Sequence, residues 1–123
     1  MDEEFLNGWV GRLGRAWEDR DPRAAAALFS ADVTYSPNPL APALHGRAAV
    51  EEYWRAELAG HTDVQCEFDV IGVAGKVGIA HWHTTLTHIE TGARVVLDGL
   101  IVVEFNPTGE CRSLREWWHG QED

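Results

Sequence analysis

Between Phe5 and Arg20 the chain places Leu6, Trp9, Val10, Leu13, Ala16 and Trp17 at helical spacing, with polar and charged residues between them. That pattern predicts an amphipathic helix with one face on a core. Asp21-Pro22 stops this helix and starts another, because Asp caps a helix and Pro suits its first turn. The alanine-rich second helix is predicted to run to about Phe29, and a short strand is expected over Asp32–Tyr35. Ser36 to Pro42 carries Pro37, Pro39 and Pro42, which excludes a helix and predicts a stiff, ordered loop. Arg47 to Ala59 returns to helical spacing, with Val50, Tyr53, Trp54 and Leu58 on one side and Gly60 as its end.

From Asp63 the period changes to that of a strand. Val64, Cys66, Phe68 and Val70 alternate with polar residues, Gly72 to Gly75 turns the chain, Val77 to Ile89 returns, and Thr91-Gly92 turns it again. Arg94–Phe105 is β-branched and apolar, Asn106-Pro-Thr-Gly109 is turn chemistry, and Cys111–Trp118 alternates in type, so Arg94 to His119 reads as a long hairpin. Alternation puts Leu114, Glu116 and Trp118 on one face and Arg115 and Trp117 on the other. Large aromatics on both faces imply covers on both. Helices first and an antiparallel meander afterwards predict an α+β fold, with the helices on one face of a curved sheet, in one domain spanning residues 1–123. The inside of that curve is either solid core or a cone with a pocket at its open end.

Composition narrows the partners. An apolar content of 45% indicates a folded chain. A net charge of −10 with scattered Lys and Arg argues against nucleic acid or an anionic membrane surface. No stretch approaches the roughly 20 apolar residues that span a bilayer, and Met1-Asp-Glu-Glu is acidic where a signal peptide is basic, so a cytoplasmic location is expected. Cys66 and Cys111 lack metal spacing and read as free buried thiols. His81-Trp-His83 could hold a metal, since residues two apart on a strand point the same way. The spacing from Gly75 echoes the start of a cupin motif, but Thr87 and His88 stand where its Glu is needed. A structural role is favoured, and no metal or cofactor is expected.

Asp21-Pro22, Leu28-Phe29-Ser-Ala-Asp-Val33, the Pro-rich loop, His45-Gly-Arg47, Tyr53-Trp54 and a long meander ending in Trp118 occur in an order that resembles the nuclear transport factor 2-like superfamily, in its SnoaL-like and ketosteroid isomerase-like branch. The resemblance implies a cone of three helices wrapped by a strongly bent sheet, a pocket inside it, and a homodimer formed through the sheet's outer face. That face would carry His81, His83, Thr85, Leu100, Val102 and Trp117, too apolar a set to leave in water. In the isomerases a carboxylate base follows the first short strand, and a Tyr on helix one forms the oxyanion hole with a late-strand Asp that an apolar site keeps protonated. Superposition of that pattern puts Pro37, Leu13 and Ile101 at the three positions, so the isomerase's catalytic groups are absent. The resemblance supplies the fold and leaves the reaction open.

The same superposition implies that Leu13, Trp17, Phe29, Trp54, Leu58, Trp82, Thr84, Leu86, Ile101, Leu114, Glu116 and Trp118 face the cone, and that Tyr35, Asn38 and His45 border its mouth. This nearly uncharged, aromatic set describes either a dry core or an apolar pocket for a flat hydrophobic ligand. Glu116 is the exception. A carboxylate among Trp54, Trp82 and Trp118 is costly to bury charged, so it is paired, protonated or in contact with water. It is the candidate acid or base of the pocket; the alternative is an ion pair with Arg12 or Arg15. His45 is the second candidate, because imidazole titrates nearest neutral pH, against a capping or loop role. The expected function is binding of a small hydrophobic molecule, with cofactor-free isomerisation, dehydration or cyclisation through Glu116 as its catalytic form. The alternative is a non-catalytic binding or dimerisation module with a filled cone.

Overall fold

Asp2 accepts the Phe5 amide at 2.8 Å and so caps α1 (Glu3–Glu18), whose stripe of Leu6, Trp9, Val10, Leu13, Ala16 and Trp17 is buried. The computed structural model describes residues 1–123. Asp21 accepts the Ala24 amide at 3.0 Å and starts α2 (Pro22–Ala26). That helix ends at Ala26, before Phe29, because Phe29 opens β1 (Phe29–Ser36) opposite Cys111. The Leu28 carbonyl there accepts both the Cys111 amide at 3.0 Å and the Trp9 indole N–H at 3.2 Å, so strand pairing overrides the alanine-rich local preference. β2 (Leu44–His45) is a two-residue edge strand that the sequence did not suggest, paired antiparallel with Thr34 and Tyr35.

α3 (Arg47–Ala59) is followed by β3 (His61–Ala74), β4 (Val77–His88), β5 (Arg94–Phe105) and β6 (Cys111–Glu122). The sheet order is β2-β1-β6-β5-β4-β3. β3 to β6 form the antiparallel meander, and β1 joins it parallel to β6, giving a curved mixed sheet with the helices on its inner face. Like β1, the strands β3 and β6 outrun the sequence reading. β3 continues through Gly72 so that the turn falls at Gly75, whose φ of 61° suits glycine. β6 continues past Trp118 to Glu122, held by pairing with β5 as far as Val95.

Register breaks in β3, between Thr62 and Gln65 and between Val70 and Gly72, bend the strand that closes one side of the cone. Inside the bend, Leu6, Trp9, Val10 and Leu13 pack with Phe29, Val33, Val50, Leu86, Ile101, Val103 and Leu114. Each fully buried large side chain of this set contributes about 1.5–3 kcal/mol relative to exposure. Cys111 is buried and Cys66 half-buried, and burial pushes both thiols up to about 12, so neither is a nucleophile at neutral pH. No helix is long and apolar enough to cross a membrane.

Candidate functional site: a tryptophan-walled pocket with an unpaired carboxyl

The core fills the closed end of the cone only. At the other end is a cavity of about 440 Å³, walled by Trp17 of α1, Tyr35 of β1, Tyr53, Trp54 and Glu57 of α3, His61 of β3, Trp82 and His88 of β4, Val95 and Leu97 of β5, and Glu116, Trp118, Gly120, Gln121 and Glu122 of β6. Strand alternation explains the inner wall. Trp82, Gly99 and Trp118 form one cross-strand row, and Ile101 and Glu116 form the next. A Cβ on Gly99 would lie 2.8 Å from the Trp82 ring, 2.8 Å from the Trp118 Cβ and 2.5 Å from the Trp117 carbonyl, so only glycine lets the two indoles stand there. Trp17 meets Trp54 edge to face at 5.7 Å and Trp82 at 5.4 Å between ring centroids. The Trp118 indole N–H donates to the Pro37 carbonyl at 2.9 Å, tying β6 to the Pro-rich loop.

Of the residues expected to face a pocket, Trp17, Tyr35, Trp54, Trp82, Glu116 and Trp118 line this cavity. Leu13, Phe29, Leu58, Thr84, Leu86, Ile101 and Leu114 are buried in the packed core behind it. His45 is exposed on β2 opposite Thr34 and is not part of the wall; nor is Asn38, whose side-chain oxygen accepts the Leu40 and Ala41 amides. Pro37, at the position of the isomerase base, is held as the acceptor of Trp118, while Leu13 and Ile101 are core residues. Tyr53, Glu57, His61, His88, Val95, Leu97 and Gln121 are lining residues that sequence reasoning did not select. Glu57 had a signal, since it follows Trp54 by three positions and shares its helix face.

Glu116 is half-buried and makes neither a hydrogen bond nor an ion pair; Arg12 and Arg15 do not reach it. Its surroundings set its chemistry. Burial, then the neighbouring Glu57 charge, pushes its pKa up to about 8. Glu57 is itself raised by its own burial and drawn back by His88, and its negative charge is the second cause of the rise at Glu116. Burial above all holds the Tyr35 and Tyr53 phenols neutral, with added repulsion from Glu116 at Tyr35 and from Glu57, then Glu116, at Tyr53. His61 is lowered by burial and by the charges of His88 and Arg20, and it stacks on His88 at 5.9 Å with 5° between the ring planes. The pocket thus holds the Glu116 carboxylic acid, able to give a proton near neutral pH, the further carboxyl groups of Glu57 and Glu122, and two phenols able to donate hydrogen bonds.

On the outer face, Asp98 accepts from His81 at 2.9 Å and from His83 at 3.0 Å, and these bonds hold its carboxyl below the usual range. The two imidazoles are engaged with one carboxylate, and no group of three or more His, Cys, Asp or Glu side chains is arranged to hold a metal ion.

The SnoaL-like domain model matches residues 10–113. The steroid Delta-isomerase of Nocardioides simplex is 30% identical over 109 residues, covering 89% of this chain and 85% of that protein. Among solved structures, SalBIII, an epoxide hydrolase/cyclase-like enzyme with a role in pyran ring formation in the polyether salinomycin, superposes with a TM-score of 0.80 at 23% identity, over 97% of this chain and 95% of that one, which is a likeness of fold. With its cone of helices and bent sheet and a family match across most of its length, the chain belongs to the SnoaL-like family, in the SnoaL-like and ketosteroid isomerase-like branch of the nuclear transport factor 2-like superfamily.

Proposed function

We propose that this protein binds a small, largely apolar molecule in the tryptophan-walled cavity and moves protons on it through Glu116, without a cofactor and without the ketosteroid isomerase set of residues. The observation that carries the reading is a carboxyl group in an aromatic cavity, without a hydrogen-bond or ion-pair partner and with a pKa near 8. A group that titrates close to the working pH both gives and takes a proton readily, which isomerisation, dehydration and cyclisation each require. The isomerase and cyclase-like relatives support this class of chemistry. Tyr35 and Tyr53, kept as neutral phenols, are placed to stabilise an oxyanion that such a step develops. His45, exposed outside the cavity wall, is left without a part in this mechanism.

The test is tryptophan fluorescence against steroid, polyketide and terpenoid ligands in wild type and Trp118→Phe, followed by turnover assays. Saturable quenching weakened in Trp118→Phe, and turnover reduced roughly 10²–10⁴-fold in Glu116→Gln, are the expected results. A flat response to every ligand would favour the non-catalytic module instead. We further propose a homodimer through the outer sheet face, where Leu100 and Trp117 are each 40% exposed beside half-buried Val102.

A further inference from the structure

The polar groups that the cavity offers a ligand are unbalanced in sign. Glu57, Glu116 and Glu122 line it, and no Lys or Arg does. Arg20, whose charge is felt at His61, donates to the Leu58 carbonyl at 3.4 Å and is not part of the wall. The remaining wall is mostly aromatic, and its indoles show ring carbon rather than donors. The Trp118 N–H is taken by the Pro37 carbonyl. The Trp17, Trp54 and Trp82 N–H groups are buried, and that of Trp54 faces the Tyr35 phenol, so none of the three is exposed to the cavity. A ligand rich in acceptor oxygens finds two phenols, the Glu116 acid, the Gln121 amide and two imidazoles, but no Lys or Arg to offset a negative charge. A cation finds carboxyl groups without ion-pair partners and electron-rich rings, the combination that recognises alkylammonium groups. The protein's net charge of −10 adds attraction of the same sign.

We propose that the ligand of this pocket carries a positively charged nitrogen, an amine or quaternary ammonium on an apolar body, held between the Glu57 carboxylate and the aromatic walls. This rests on the proposed ligand-binding role of the cavity and names the class of molecule it takes. Glu57, from α3, supplies the counter-charge, and Trp17, Trp54, Trp82 and Trp118 supply the π surface. The imidazoles of His61 and His88 are stacked together in the same wall, and Glu122 adds a further acidic side chain at the strand end. Glu116 remains the proton carrier beside the bound group.

The experiment compares benzyltrimethylammonium with neopentylbenzene, its neutral isostere, and with phenylmethanesulfonate as the anion, by tryptophan fluorescence and calorimetry at pH 7.5. The cation is expected to bind roughly tenfold or more tightly than the isostere, an advantage that Glu57→Gln abolishes and Glu57→Asp largely keeps. The anion is expected not to bind. Equal or tighter binding of neopentylbenzene overturns the charge assignment while leaving the apolar pocket intact, and an advantage that survives Glu57→Gln overturns the role of Glu57. Silence of all three probes and of the neutral ligands above would remove the ligand-binding reading itself. Because the first comparison is made on the wild-type protein, it stands even if a Glu57 variant does not fold.

Discussion

Glu116 is a carboxyl group placed where a charge is costly. Its ordinary value is 4.5 and its value in the folded chain is about 8, so the fold favours the protonated form. Below 4.5 the group is protonated whether folded or unfolded, and the stabilisation of the neutral form is fully present. As pH rises from 4.5 towards 8 the unfolded chain releases the proton while the folded chain keeps it, and stability falls until the folded group also ionises. Wild type is therefore expected to lose stability against Glu116→Gln across that interval, by on the order of a few kcal/mol. Urea melts of both proteins at pH 5 and pH 8.5 check this, and parallel curves at both pH values would contradict it. The position of Glu116 was legible because a strand shows its faces in its alternation, and Leu114, Glu116 and Trp118 alternate with Arg115 and Trp117. His61 and His88 were not, since they become neighbours only through the register of β3 on β4, which pairs His61 with His88.

The strands β4, β5 and β6 act together through one residue that has no side chain. Gly99 separates Trp82 from Trp118, and any Cβ there collides with the Trp117 carbonyl, the Trp118 Cβ and the Trp82 indole. Gly99→Ala is expected to cost about 1–3 kcal/mol by forcing these groups apart. The same displacement should alter tryptophan emission, which separates it from a generic loss of stability. An unchanged spectrum and melting temperature would refute the close packing. Element boundaries were the less legible part of the fold. The sequence carries α1 and α3 in their apolar stripes and the meander in its alternation, but β1 begins at Phe29 because Cys111 and Leu28 meet across the parallel β1–β6 pair. Such a pairing joins residues about eighty positions apart, and local pattern holds no record of it.

The whole molecule is a cone with two differently used faces. Its inner face divides into a packed end and an open end, a division the sequence left undecided because aromatic residues at strand and helix spacing serve either purpose. Trp9 and Trp54 look alike in the sequence, yet Trp9 is locked between Phe29 and Phe105 while Trp54 borders the cavity. The outer face carries exposed Leu100 and Trp117, with Arg115 stacked over Trp117 at 5.5 Å and Asp98 bridging His81 and His83. Sedimentation at micromolar concentration is expected to show a dimer that Trp117→Glu and Leu100→Glu together dissociate. A monomer in wild type would contradict a dimer through this face.

The most direct measurement of the central claim is an NMR titration of the Glu116 carboxyl carbon in the ligand-free protein, with Glu116→Gln used for its assignment. A midpoint near 8 is expected, and in Glu57→Gln it should move down, because the Glu57 charge is the second cause of the rise after burial. A midpoint in the ordinary carboxylate range, near 4.5, would show Glu116 to be solvated or paired and would end its assignment as the proton carrier of the pocket.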